Sequence, residues 1–213
     1  MLISFEGIDG SGKSTQALRL KQRLEDAGRQ VLLVREPGGT ALSERVRQVL
    51  LDPALHVDPL AELLLFSAAR AQLVRECIMP ALADKQVVVC DRFFDSTTVY
   101  QGAGRGLDQD GWIAAFNRRV TSGLVPARTY LVDLDPEEAA ARQMARDGQA
   151  GRDRMERASG EFYQRVVTAY RRLAAEEPAR WVVIDGRLSI EAIHDIIWSD
   201  FVTLAAARNT PEQ

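Results

Sequence analysis

Gly7-Ile8-Asp9-Gly10-Ser11-Gly12-Lys13-Ser14 decides how this chain reads. The octapeptide fills every fixed position of the pattern G-x-x-x-x-G-K-[ST]. It follows a short apolar run, Leu2 to Glu6. It opens a stretch, Ser14 to Ala27, in which Ala17, Leu18, Leu20 and Leu24 recur on a 3.6-residue period. Strand, glycine turn and helix are the context the pattern needs. Glycines let the backbone curl so that successive N–H groups converge on phosphate oxygens, and the helix N-terminus adds positive potential. Gly7, Ile8, Asp9, Gly10, Ser11, Gly12, Lys13, Ser14 and Thr15 are therefore candidates for holding ATP. Lys13 suits the β- and γ-phosphates, and the Ser14 hydroxyl suits Mg²⁺.

Outward from this loop, apolar runs and helical patterns alternate. Val31 to Val34, Val87 to Cys90, Tyr130 to Asp133 and Trp181 to Ile184 read as four further strands. Thr40 to Leu51, Pro59 to Ala83 with a break near Pro80, Ser96 to Gln101, Asp110 to Thr121, Pro136 to Arg146, Glu161 to Glu176 and Ile190 to Ala207 read as helices. The strand runs are continuously apolar rather than alternating, the mark of parallel strands covered on both faces. The expected architecture is a doubly wound α/β fold, a five-stranded parallel sheet with helices on both faces. The 213 residues suit one large domain, 1–213, with a polar, Gly/Asp/Arg-rich lid segment at about 146–160.

Composition narrows the function. The formal net charge is −3, which argues against a partner that is a nucleic-acid polymer. Only Lys13, Lys21 and Lys85 are lysines; the other basic residues, histidines aside, are arginines. That skew suits planar phosphate clamps or simply reflects codon usage. Cys77 and Cys90 form no CxxC pair, so no disulfide framework is expected. The N-terminus lacks a secretory pattern and no run is long enough to span a membrane, so a cytoplasmic protein is expected. The two asparagines, Asn117 and Asn209, precede no lysine, which leaves no Asn-Lys-x-Asp guanine-reading motif. A small kinase with a second, acceptor site is favoured.

Further motifs come in series. Arg35-Glu36-Pro37-Gly38-Gly39-Thr40 follows the second strand and Phe66-Ser67-Ala68-Ala69-Arg70 lies in the long helix. Asp91-Arg92-Phe93 ends the third strand, ahead of Asp95-Ser96-Thr97 and Tyr100-Gln101-Gly102-Ala103-Gly104-Arg105-Gly106. With Phe5-Glu6-Gly7 at the loop, this series resembles the bacterial thymidylate kinases, P-loop nucleoside monophosphate kinases, over essentially the whole chain. The resemblance implies the P-loop kinase fold with a short lid, transfer of the ATP γ-phosphate to dTMP to give dTDP and ADP, Mg²⁺, and a homodimer.

It also implies roles. Arg92, at a strand's C-terminal end where α/β proteins place ligands, would hold the dTMP phosphate; a surface ion pair with Asp91 is the plainer alternative. Asp91 stands where a Walker-B-like carboxylate would serve Mg²⁺. Phe66 would stack on the pyrimidine, although its leucine neighbours equally suit a core position. Arg70 would donate to a base carbonyl, and Thr97 and Gln101 would bond the base. Tyr100 would lie near the sugar and Asp9 would meet its 3′-hydroxyl. Pro37 corresponds to a cis proline, and Glu36 would orient the acceptor-site arginines.

Family members carry a catalytic arginine either in the P-loop or in the lid. Gly10 and Ser11 close the first option here. In the lid, Asp153-Arg154-x-Glu156 resembles the bacterial pattern, so Arg154 is expected as the main transition-state cation, with Arg152 and Arg146 behind it. Arg142 would stack on adenine. On composition alone the stretch is a solvated charged loop. Two other readings stay open: a kinase for another nucleoside or nucleotide, with Glu36 as a base, and a nucleotide-binding regulator without transfer.

Overall fold

The computed structural model describes residues 1–147, 154–155 and 158–209. Five strands, β1 (Leu2–Glu6), β2 (Val31–Arg35), β3 (Val87–Asp91), β4 (Arg128–Asp133) and β5 (Trp181–Asp185), form one parallel sheet in the order β2-β3-β1-β4-β5. Alternate strand residues feed different cores, which is why the runs are continuously apolar. Ile3, Phe5, Val87, Val89, Tyr130 and Val132 pack against α1 (Lys13–Asp26) and α9 (Ile190–Asn209). Leu2, Val88 and Cys90 pack against residues of α3 (Pro59–Leu73) and the turn after it, and Leu131 packs with α7 (Pro136–Asp147) and α8 (Gly160–Glu176). The α/β expectation and its five strands hold.

The long helix expected at Pro59 to Ala83 does not break at Pro80. A π-helical turn, Val74–Ile78, joins α3 to α4 (Met79–Ala83). A proline ring clashes with the carbonyl four residues back in regular α geometry, and the wider turn just ahead of it absorbs that conflict. A second π-helical stretch, Thr98–Gly104, continues α5 (Phe94–Thr97) and carries Tyr100 and Gln101 into the site. The remaining helices are α2 (Ala41–Leu51), capped by the Thr40 side chain, and α6 (Trp112–Val120).

β1 lies mid-sheet with β3 on one side and β4 on the other. The chain therefore leaves in opposite directions from neighbouring strand ends, and a crevice opens at their C-terminal edge. The glycine loop after β1 and Asp91-Arg92 at the end of β3 both reach this edge.

Candidate functional site

At the glycine loop, Gly12 caps α1 with φ 99°, a left-handed conformation that side chains disfavour, in otherwise open space. Gly10, φ 86°, is pinned differently: a Cβ there would lie 2.5 Å from the Ala139 carbonyl oxygen of α7. The loop is thus seated against the helix that leads into the lid. Lys13 Nζ donates to Asp9 Oδ1 at 2.9 Å, and Arg92 Nη2 donates to the same oxygen at 2.8 Å. Burial disfavours the Asp9 charge, but the Arg92 and Lys13 cations outweigh it and hold this carboxyl well below the usual range.

Two cavities meet here. One, of about 450 Å³, runs along the glycine loop past Arg142 to Gly186, Leu188, Ser189 and Ile190 beyond β5. The other, of about 270 Å³, reaches from Asp91 and Arg92 to Phe66, Arg70, Thr97 and Gln101. Asp9, Lys13, Ser14 and Arg146 line both.

Arg92 has φ 73°, an uncommon conformation for a residue with a side chain. Its guanidinium is held on several sides. Nη1 donates to Ser96 Oγ at 3.2 Å and Tyr170 Oη at 3.3 Å, Nη2 donates to Tyr100 Oη at 3.1 Å, and the cation lies 4.9 Å from the Tyr100 ring centroid. Its ionic partner is Asp9; the plainer alternative, a surface pair with Asp91, is not what forms. Behind it, the fully buried Glu6 accepts from the Phe93 amide at 2.8 Å, Ser96 Oγ at 2.7 Å and Tyr170 Oη at 2.7 Å.

Burial, with the Asp95 carboxylate nearby, raises Glu6 to about 7 against the pull of Arg92 and the two hydroxyls. A carboxyl raised on folding binds its proton more tightly folded than unfolded, so its contribution is present at low pH and lost as pH rises from about 4.5 to about 7. Glu6→Gln does not titrate. Its stability relative to the parent is expected to improve as pH rises from 5 to 8 in urea unfolding, because only the parent loses the stabilising proton. Parallel pH profiles for the two proteins would refute this.

The far end of the second cavity is a buried polar cluster. Arg70, 2% exposed, donates from Nε to Glu36 Oε2 at 2.6 Å, from Nη1 to Thr97 Oγ1 at 2.6 Å and from Nη2 to the Phe93 carbonyl at 3.3 Å. Because Thr97 accepts from Arg70, its hydroxyl proton stays available to a ligand. The Glu36–Pro37 peptide is cis, and Arg47 Nη1 donates to the Pro37 carbonyl at 3.1 Å. Phe66 is half-buried in the wall, with one side on the core.

A family model for thymidylate kinase matches residues 5–197. The thymidylate kinase of Chlorobaculum tepidum is 47% identical over 210 residues, covering 96% of this chain and 98% of that protein. That of Deinococcus radiodurans is 47% identical over 199 residues, covering 93% and 95%. The chain belongs to the thymidylate kinase family. A crystal structure of thymidylate kinase from Ehrlichia chaffeensis superposes with a TM-score of 0.75 at 35% identity, covering 94% of this chain and 98% of that one. Membership of this family makes the chain a nucleoside monophosphate kinase, a phosphotransferase.

For a thymidylate kinase family member, the placement of the expected residues is informative. Lys13, Ser14, Glu36, Pro37, Phe66, Arg70, Asp91, Arg92, Thr97, Tyr100 and Gln101 all line the second cavity, and Gly10, Ser11, Gly12, Thr15 and Arg142 line the first. Gly7 and Ile8 shape the loop from below: a Cβ on Gly7 would meet the Val132 carbonyl at 2.6 Å, and Ile8 is buried in the core. Arg154, expected as the main transition-state cation, lines neither cavity. It donates from Nη1 to Glu62 Oε2 at 2.6 Å and from Nε to the Leu50 carbonyl at 2.8 Å. Among the described residues, Arg146 is the lid-side arginine at the junction. Arg152, with Asp153 and Glu156, lies outside the described residues.

Sequence reasoning missed Glu6, Ser96 and Tyr170 as supports of Arg92, Glu62, and the wall formed by Gly186 and Leu188 to Ile190. A glutamate ending an apolar strand beside the loop was a signal for the first. Nothing in the sequence pairs Tyr170, in α8, with the end of β3. Mg²⁺ fits the donor set: Ser14 lies at the junction, and Asp91, which lines the acceptor cavity, keeps a buried Oδ1 with no hydrogen-bond partner. Among the described residues, no helix is long and apolar enough to cross a membrane.

Proposed function

We propose that the chain transfers the γ-phosphoryl group of ATP to dTMP in the cytoplasm, giving dTDP and ADP. The observation that carries this is the pair of cavities sharing Asp9, Lys13, Ser14 and Arg146. One cavity has the loop and wall for a nucleoside triphosphate, the other an arginine for an acceptor phosphate and a buried polar end for a base. Phosphoryl transfer is mainly positioning and neutralisation of charge. The acceptor is already a phosphate dianion, so no strong base is needed, and this favours a nucleotide over a free nucleoside. Lys13 holds the donor phosphates, Arg92 grips the acceptor phosphate, and Arg146 neutralises the group in transit. Mg²⁺, held through Ser14 and Asp91, supplies further charge neutralisation when bound. Arg70, Thr97 and Gln101 read the base, Phe66 stacks on it, Tyr100 crowds a 2′-hydroxyl, and Asp9 meets the 3′-hydroxyl. Arg142 covers adenine.

An acceptor panel with ATP and Mg²⁺ tests the assignment. dTMP is expected to be the preferred acceptor. Preferred turnover of dUMP or thymidine would overturn it, as would ATP binding with no turnover of any acceptor.

We also propose a homodimer formed through α2 and α3. These helices pack on each other, yet Leu42, Val49, Leu60 and Leu64 remain exposed. Light scattering is expected to give twice the chain mass, and Leu64→Glu is expected to give the monomer. A monomeric parent would refute this.

A further inference from the structure

Glu62 is a carboxylate with 0% exposure that none of the steps above uses. It sits in the first turn of α3, where an acidic side chain is ordinary, but it does not face solvent. Oε1 accepts from Gln101 Nε2 at 2.8 Å and from Arg105 Nε at 3.1 Å. Oε2 accepts from Arg105 Nη2 at 3.1 Å and from Arg154 Nη1 at 2.6 Å. One buried anion thus gathers a residue of the base-binding end, an arginine at the end of the π-helical stretch, and an arginine of the lid segment. The contacts continue into the cavity wall. Arg154 Nη2 lies 3.5 Å and Arg105 Nη2 3.8 Å from Met155 Sδ. Tyr163 Oη donates to the Met155 carbonyl at 3.2 Å, and Met155 lines the acceptor cavity. The Arg154 backbone N–H donates to the Leu51 carbonyl at 3.2 Å, and Leu51 lines that cavity too.

We propose that Glu62 is a positioning residue that ties Gln101, at the base-binding end of the acceptor cavity, to Arg154 and Met155. Base recognition and the seating of this part of the lid are then set by a single carboxylate. The chemistry requires an anion here. A carboxylate only accepts, so it fixes the Gln101 amide with its NH₂ group toward Glu62 and leaves the amide carbonyl for a ligand donor. Arg105 spans both oxygens and balances the buried charge, and Arg154 adds the shortest charge-assisted hydrogen bond, so losing Arg154 removes an attraction and not the charge balance. Arg105, whose cation also lies 4.6 Å from the Phe162 ring centroid, is the fixed partner. Arg154 is the partner delivered by the lid.

The proposal rests on dTMP being the acceptor, so the test has one arm that needs turnover and one that does not. In the first, Glu62→Gln is expected to raise KM for dTMP at least about tenfold, the cost of losing charge-assisted hydrogen bonds. KM for ATP is expected to stay within about twofold of the parent, since Gln101 and Met155 line the acceptor cavity and neither Glu62 nor any of its partners lines the donor cavity. Glu62→Asp, which keeps the charge, should restore part of the loss. Arg154→Gln should raise KM for dTMP in the same direction, and the double variant should be no worse than Glu62→Gln alone. Effects that multiply, or a lowered Tm with unchanged KM for dTMP, overturn the proposal. In the second arm, trypsin cleavage after Arg154 is followed by mass spectrometry in the unliganded protein. Cleavage is expected to be faster in Glu62→Gln than in the parent; equal rates overturn the tie. If the parent turns over no dTMP, the acceptor assignment fails and the cleavage rates alone decide the role of Glu62.

Discussion

Replacing Arg92 with alanine is expected to lower kcat/KM for dTMP by about a thousandfold while ATP binding is retained. Steady-state kinetics and calorimetric titration of a non-hydrolysable ATP analogue measure the two quantities. Arg92 offers a forked cation at the end of β3, 13% exposed, where a phosphate is poorly shielded by water. Lys13 keeps its own bond to Asp9, so the glycine loop does not depend on Arg92 for its cation. The backbone complicates the reading, because residue 92 has φ 73° and alanine there bears the same strain as arginine. Arg92→Gly relieves that strain, and a loss of the same size in both variants assigns the effect to the guanidinium. Arg92→Lys keeps the charge without the fork and is expected to recover only part of the activity. Equal losses for dTMP and ATP would mean that Arg92 serves the whole site and not the acceptor phosphate.

The same residue shows what a sequence can and cannot disclose. Its place after an apolar strand, beside an aspartate, made Arg92 legible as a candidate for holding phosphate, and the glycine loop was legible for the same reason: both patterns are written in consecutive residues. The five parallel strands were legible because burial on both faces leaves continuous apolar runs. What holds Arg92 was not legible. Ser96 and Tyr170 meet it from α5 and α8, Glu6 of β1 holds both of their hydroxyls from behind, and the 164-residue separation of Tyr170 from Glu6 has no local signature. Glu36 marks the middle ground. Its task of orienting an acceptor-site arginine was expected, but that the arginine would be Arg70, and that Thr97 would share it, required the fold. The π-helical stretch Thr98–Gly104 was also hidden, since its glycines and mixed polarity read as the end of a helix.

The lid is where the two readings part, and the second large effect follows from that. Arg146→Ala is expected to lower kcat by about a hundredfold to a thousandfold with KM for ATP little changed, the pattern of a contact made mainly in the transition state. Arg154→Ala is expected to leave kcat within about fivefold of the parent and to act on KM for dTMP. The sequence favoured Arg154 because Asp153-Arg154-x-Glu156 matches a family pattern, yet a pattern preserves a residue type without saying which partner it meets. In the structure, two nitrogens of the Arg154 guanidinium are committed to Glu62 and the Leu50 carbonyl. Drawing it to the phosphates would cost a fully buried carboxylate its shortest charge-assisted hydrogen bond, which opposes the motion. Arg146 stands in the last turn of α7, exposed, and already borders the junction of the two cavities. Arg146 also lies four residues beyond Arg142, so one helical face presents both to the donor side. The ranking of the two kcat losses is the decisive measurement. A large loss for Arg154→Ala with a small one for Arg146→Ala would return the transition-state charge to Arg154 and require its release from Glu62 in every turnover.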